Sequence, residues 1–529
     1  MVGTMTVNSP TGAVRALRAV AATADQLATQ AAMAAFAWGG NAVDAAIAAN
    51  AAIAVTAPHL CGMGGDLLAV VRTSGGEIVA LNASGRAGSG ADAAALRQDG
   101  HREMPFRHDI RSVTVPGCVD GWMALHERFG HLDLAAVLGP ATRLAAGGFP
   151  ASPLLVGSLE LVDDAARDNL AVLAEQARRP GAPVRRAGVA LALQAIVKGG
   201  RSAFYLGAFG EGLIDLGQGL FTEGDLARVQ ADWVEPLVTD AFGVQLATIG
   251  PNSQAYLALG AARLADALGV PDDPADPAWP HLLIEVSTAA AMDRPAVLHD
   301  EADGAALIDQ IAGRAALVDR QRASRRQTAT VLGDTTYLCT ADDSGMAVSL
   351  IQSNASGFGS WLVEPTTGIN LHNRGLGFSA QAGHPAEFRP GRRPPHTLCP
   401  AMATRSGKLV AVFGTMGGDA QPQILLQLMA RLFAGQEGPA SAVGAGRWVL
   451  RGPTTGFDTW TSGQPPAVII EGHAPAAWRD ALLALGHDVS VAPPFDSGFG
   501  HANVITVDDS GVFAAAADPR ARVSSAAGT

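Results

Sequence analysis

DTTYLCTADDSGMAVSLIQS (334–353) opens on an aspartate and two threonines and then alternates like a strand. Thr335–Ala341 and Met346–Ser353 flank the turn Asp342-Asp343-Ser344-Gly345, so the stretch predicts a β-hairpin. The basic run RQRASRRQTAT (320–330) just before it reads as an exposed, protease-sensitive linker. If the bond between Asp334 and Thr335 is cut, a new chain begins with a threonine at the head of a strand. Its hydroxyl is then a nucleophile and its own α-amine a base, which activates threonine without a histidine. An α-amine has a reference pKa of about 7.7–8.0, so a useful fraction is neutral near pH 7. The same hydroxyl can make the first cut by attacking the preceding carbonyl.

An attacking hydroxyl needs donors for the oxyanion it creates. KLVAVFGT (408–415) reads as a buried strand. The turn Met416-Gly417-Gly418-Asp419 follows, and then a helix with Ile424, Leu425, Leu428, Met429, Leu432 and Phe433 on one face. A strand–glycine–helix junction presents unpaired N–H groups and the positive helix end together.

Outward from these two segments, residues 24–54 predict two alanine-rich helices broken at Gly39-Gly40-Asn41. Leu67–Arg72 and Glu77–Asn82 predict a hairpin around Ser74-Gly75-Gly76, after the glycine turn Gly62, Gly64 and Gly65. Helical patterns dominate from about 113 to 270. PDDPADPAWP (271–280) reads as a rigid loop, 380–396 as a polar Gly/Pro loop, and 466–518 as strand, helix, strand, strand. No internal repeat is evident.

With 48% hydrophobic and 16% charged residues, the 529-residue chain belongs to the globular class rather than the disordered one. A net charge of −12 with scattered arginines argues against a nucleic-acid partner. Ala31–Ala57 is interrupted by Asn41, Asp44 and Asn50, which argues against a membrane span. Cys61, Cys118, Cys339 and Cys399 lie far apart with no CxxC pair, so neither a zinc site nor a disulfide framework is expected, which fits a reducing cytoplasm. The N-terminus has no sustained apolar run of the signal-peptide kind. GxSxG, P-loop and dinucleotide motifs are absent.

Five ordered blocks carry a resemblance: 39–66, 114–152, 334–361, GTMGGDAQPQ (414–423) and GFGHANVITVDDSGVFAAAADPR (498–520). Over nearly its full length the chain resembles the γ-glutamyltranspeptidase family of N-terminal-nucleophile hydrolases. The resemblance implies an α/β fold, the four-layer αββα sandwich. It also implies a precursor cut into a large N-terminal subunit (1–334) and a small C-terminal subunit (335–529) that stay associated as a heterodimer. On matching positions Thr335 is the nucleophile, Ser353 replaces a threonine that hydrogen-bonds its hydroxyl, and Gly417 and Gly418 match the oxyanion pair. No cofactor and no metal are implied.

The grip on a γ-glutamyl group is rewritten. Ser84 stands where the family has an arginine, with Arg86 two places on. The family's amine-binding acid falls on Gly377 and its amide neighbour on Arg374; an asparagine falls on Ala355, with Asn354 adjacent. A serine pair becomes His396-Thr397. These departures resemble the divergent bacterial branch with oxamate amidohydrolase and cephalosporin-acylase-like proteins. Losing the acid and gaining Arg374 favours a small amide that bears a carboxylate, held by Arg374 or Arg86, with Asn354, His396 and Thr397 as further contacts. Two alternatives stand beside this reading: a genuine γ-glutamyl transpeptidase or glutathione hydrolase, and a non-catalytic relative that only binds a small carboxylate.

Overall fold

The computed structural model describes residues 12–324, 334–451 and 467–529, apart from the side chains of Asp334 and Arg451. The end of the basic run, 325–330, lies outside the described residues. Two seven-stranded antiparallel sheets form the centre. The first runs Ser525–Gly528, Ala19–Thr23, Asp334–Asp342, Ala347–Ala355, Asp66–Arg72, Ile78–Ala83, Asp232–Val234. The second runs Val14–Ala16, Phe513–Ala517, Ala502–Val507, Lys408–Thr415, Ala401–Arg405, Val244–Ile249, Pro236–Ala241.

Strand alternation builds the layers. Leu67, Ala69 and Val71 point into a core shared with the helices Gln26–Ala37, Ala42–Thr56 and Cys118–Phe129. Leu68 and Val70, on the opposite face, join Val412, Phe413, Val504 and Ile505 of the second sheet. Helices Tyr256–Leu268, Ala278–Ala291 and Gln421–Met429 belong to that second core. The result is the αββα sandwich. Where the sheets meet, a Cβ on Gly414 would stand 2.2 Å from the Tyr337 ring, so only glycine fits there. The Ser349 hydroxyl binds the Tyr337 hydroxyl at 2.9 Å and accepts the Ala401 N–H at 2.9 Å, stitching one sheet to the other.

The polar interruptions of the alanine-rich helices are all used. Asn41 caps Ala42–Thr56 in a capping box with Asp44, an arrangement worth about 1 kcal/mol. Asn50 accepts the Trp122 indole N–H at 2.7 Å. No helix among the described residues is long and apolar enough to cross a membrane, and all four cysteines are buried and unpaired.

One segment differs from the expectation. Residues 232–249, placed in a helical region by pattern, form three strands, of which Asp232–Val234 and Pro236–Ala241 are sheet edges. The turn Phe242-Gly243, with both residues at positive φ, closes a hairpin between the last two. A further short strand, Val489–Ala492, appears in the last segment.

Candidate active site

The candidate corner lies where three strands of the first sheet end together. Ser353 is the cross-strand partner of Asp66 on one side, and on the other faces the start of the threonine strand. The pairing slips there: Asp334 opposes Ala355 but Thr336 opposes Gln352, so Ser353 and Asn354 share the place opposite Thr335. Ala355 completes the bulge with φ of 74°, a conformation L-residues adopt rarely. The bulge turns the hydroxyls toward each other, and Thr335 Oγ1 lies 3.0 Å from Ser353 Oγ.

Ser353 Oγ accepts the Ala355 N–H at 2.8 Å and an Arg374 Nη2 hydrogen at 3.2 Å. Arg374 sits in the short helical turn Arg374–Gly377 and donates through Nη1 to Thr397 Oγ1 at 3.0 Å. It is 1% exposed. Burial lowers its pKa to about 10, against the opposing pull of Asp66 and Asp419, so it stays cationic at neutral pH. Gln254 extends the chain of contacts, donating to the carbonyls of Thr397 at 3.3 Å and Gly418 at 3.0 Å.

Gly417 (φ 139°) and Gly418 (φ 54°) form the turn after Lys408–Thr415. The Gly417 backbone suits glycine alone, and neither N–H donates to another described residue. Asp419, next in sequence, approaches Arg294 at 3.1 Å. A cavity of about 590 Å³ lies on the Arg374 and Asp419 side of this corner, and Thr335, Ser353, Gly417 and Gly418 are not among its lining residues. Arg374, Arg294, Asp419 and Thr397 supply its polar wall; Phe106 and Phe378 are among its apolar residues.

Thr335, Ser353, Arg374, Thr397 and the Gly417-Gly418 turn are thus linked in one network. Three expected contacts stand elsewhere. Arg86 is ion-paired with Asp232, which also binds Arg393, and does not line the cavity. Asn354 is fully buried and donates to the Pro58 carbonyl at 3.2 Å, fastening the loop before the glycine turn. His396 is equally buried, its Nε2 3.1 Å from Asp66. Burial and the nearby Arg374 charge push its pKa down to about 3, so the ring is a neutral donor to Asp66.

Asp66 was missed by residue-type reasoning, although it closes the motif GMGGD. Its carboxylate accepts the Gly85 N–H at 2.9 Å as well as the His396 contact, and His372 lies 3.6 Å away. Burial alone would raise its pKa, but the two histidines and the Gly85 N–H outweigh it and hold it at about 2. This buried anion balances Arg374. Asp419, also missed, ends the motif MGGD.

The sequence profile described as gamma-glutamyltranspeptidase matches residues 28–528. The oxamate amidohydrolase proenzyme of Klebsiella pneumoniae is 33% identical over 515 residues, covering 93% of this chain and 95% of the relative. A glutathione hydrolase-like proenzyme of Bacillus subtilis is 31% identical over 510 residues, covering 91% and 93%. The crystal structure of cephalosporin acylase from Bacillus halodurans superposes with a TM-score of 0.87 at 31% identity, over 100% of this chain and 99% of that one. Profile, full-length relatives and fold agree: the chain belongs to the γ-glutamyltranspeptidase family, with amidohydrolases and acylases among its relatives.

Proposed function

We propose that the chain is an autoprocessed amide hydrolase, cut between Asp334 and Thr335, that acts on small amides whose acyl part carries a carboxylate near the scissile bond. The observation that carries this reading is the position of Arg374. It lines the cavity and also bonds Ser353, the hydroxyl beside Thr335. A carboxylate held on that guanidinium lies close to the nucleophile. This favours a short acyl group of the oxamate kind over the long γ-glutamyl chain. Gly377 supports it: a Cβ there would stand 2.3 Å from the Pro395 carbonyl oxygen, so the acid that would hold a glutamyl α-amine has no room.

In the mechanism, the proton of the Thr335 hydroxyl passes to its own α-amine as Oγ1 attacks the amide carbonyl carbon. Ser353, with lone pairs engaged by Ala355 and Arg374, can turn its O–H to Thr335 Oγ1 and support the developing charge. The Gly417 and Gly418 N–H groups receive the oxyanion, a contribution of about 10²–10³ in rate. The ammonium then protonates the leaving amine as the C–N bond breaks, giving an ester on Thr335. Water, giving a proton to the same amine, attacks that ester and releases the acid.

A denaturing gel with N-terminal sequencing of the smaller band tests the processing; an uncut wild-type chain would sink it. A hydrolysis panel of oxamate, its neutral amide counterpart, γ-glutamyl amides and glutaryl amides tests the substrate. Oxamate-type amides are expected to lead, and a clear preference for γ-glutamyl amides would overturn the assignment.

A further inference from the structure

Away from the cavity, His281 and Glu285 lie one turn apart on the helix Ala278–Ala291, so both face the same way. His487 meets them from the turn after the helix Ala477–Ala484. One ligand atom from each of the three lies within 4.8 Å of the other two. His281 Nδ1 is 2.8 Å from His487 Nε2, and Glu285 accepts the Ser324 N–H at 3.1 Å. None of the three lines the cavity.

The tautomer of His281 is that of a metal ligand. His281 Nε2 lies 2.9 Å from the Asp319 carbonyl oxygen, which can only accept, so Nε2 carries the hydrogen and Nδ1 the lone pair. A ring N–H on a backbone carbonyl, with the other nitrogen aimed at the site, is how metal-bound histidines are oriented. Two imidazoles and a carboxylate suit zinc, with water as a fourth ligand. Metal–nitrogen bonds of about 2.0–2.1 Å set tetrahedral neighbours roughly 3.3 Å apart. His487, half-buried on a turn, therefore has to draw back only slightly and shift its proton to Nδ1.

We infer that His281, Glu285 and His487 form a structural zinc site that joins the two parts of the processed chain. The joining role rests on the proposed cut at Thr335, because His281 and Glu285 precede it and His487 follows it. The site itself does not. Its second contacts, Asp319 and Ser324, belong to the end of the large fragment, and the Ala323 N–H donates to the Leu485 carbonyl at 2.8 Å in the small one. Zinc would hold that end in place after cleavage.

The test uses tag-free full-length protein, stripped with chelator and titrated with zinc, in wild type and in Thr335→Ala, Glu285→Gln and His487→Gln. About one zinc per chain is expected in wild type and in Thr335→Ala, because the folded chain suffices. Binding at least tenfold weaker is expected in Glu285→Gln and His487→Gln, with loss of a thermal upshift of several degrees. In processed wild type, chelator should also lower the urea concentration at which the fragments separate. Absence of zinc from both wild type and Thr335→Ala, or unchanged affinity in the two ligand variants, overturns the site. Zinc bound normally but with no effect on fragment separation overturns the joining role alone.

Discussion

The two halves of the candidate corner are built from different materials. Thr335 and Ser353 stand on paired strands in the centre of a seven-stranded sheet, their positions set by register and one bulge. Arg374, Thr397, Arg294 and Asp419 stand on a helical turn, a loop, a short helix and a glycine junction, held to one another by side-chain bonds. A strand pair admits little variation without moving the sheet. Loops can be rewritten while the reaction is kept. The chemistry and the selectivity can therefore change largely independently, and the departures at Arg374, Gly377 and His396-Thr397 fall outside the strand pair, whereas Ala355 falls within it.

The sharpest way to break that division is at Thr335, the proposed nucleophile. Thr335→Ala should abolish both self-cleavage and turnover, a loss of at least ~10⁴-fold of the kind seen when a catalytic nucleophile is removed. Chain processing is read on a gel and hydrolysis with every amide of the panel. Residual turnover above ~1% would place the reaction elsewhere. Arg374→Gln should act on the other half. For the carboxylate-bearing amide, kcat/KM should fall about 10- to 100-fold, mainly through KM, as when a charged hydrogen bond is lost. The neutral counterpart should lose much less. Equal losses on both substrates would mean that Arg374 serves only to position Ser353.

The same division explains what the sequence made readable. The threonine hairpin, the hairpin at 66–83 and the strand Lys408–Thr415 follow from alternation and turn residues, because neighbouring strands satisfy local rules. Thr335, Ser353, Gly417 and Gly418 could be named as candidates for that reason, aided by the ordered blocks. Asp66 was not. Its meaning depends on His396, 330 residues away, and no local pattern records that pairing. Arg86 misled in the opposite sense: a cation near an expected anchor position is spoken for by Asp232, which comes 146 residues later. The strands at 232–249 were hidden by length, since pieces of three and six residues carry too few alternations to outweigh the helical texture around them.

Ser353 joins the two halves, and its substitutions sharpen the comparison. Ser353→Ala removes one hydrogen bond to the nucleophile and leaves Arg374 without that acceptor, so kcat should fall roughly tenfold. Ser353→Thr keeps the hydroxyl and should stay within about threefold of wild type. If the alanine variant matched wild type, the hydroxyl pair would have no part in activating Thr335.

The smallest effect concerns acid. Thr335 and Ser353 carry neither a carboxylate nor an imidazole, whereas the contacts around them include a neutral His396 and a charged Asp66. The folded pKa of His396, about 3, lies below the unfolded value of about 6.5. Its contribution is therefore complete above pH 6.5 and is lost as pH falls toward 3, because the unfolded chain takes up a proton that the folded chain refuses. Asp66, held at about 2 against an unfolded value of about 3.9, adds a loss confined to still lower pH. A single histidine so shifted accounts for about 1.4 kcal/mol per pH unit within its window. His396→Gln retains a donor for Asp66 but does not titrate. Its thermal midpoint should decline less steeply than that of wild type between pH 6.5 and 4. The remaining slope reflects other buried neutral histidines, among them His59 and His501, whose pKa values are pushed down to about 3 and about 4. Parallel curves for the two proteins would show that His396 is protonated in the folded chain, and the Asp66 pair would then be an ion pair rather than a neutral donor on a buried anion.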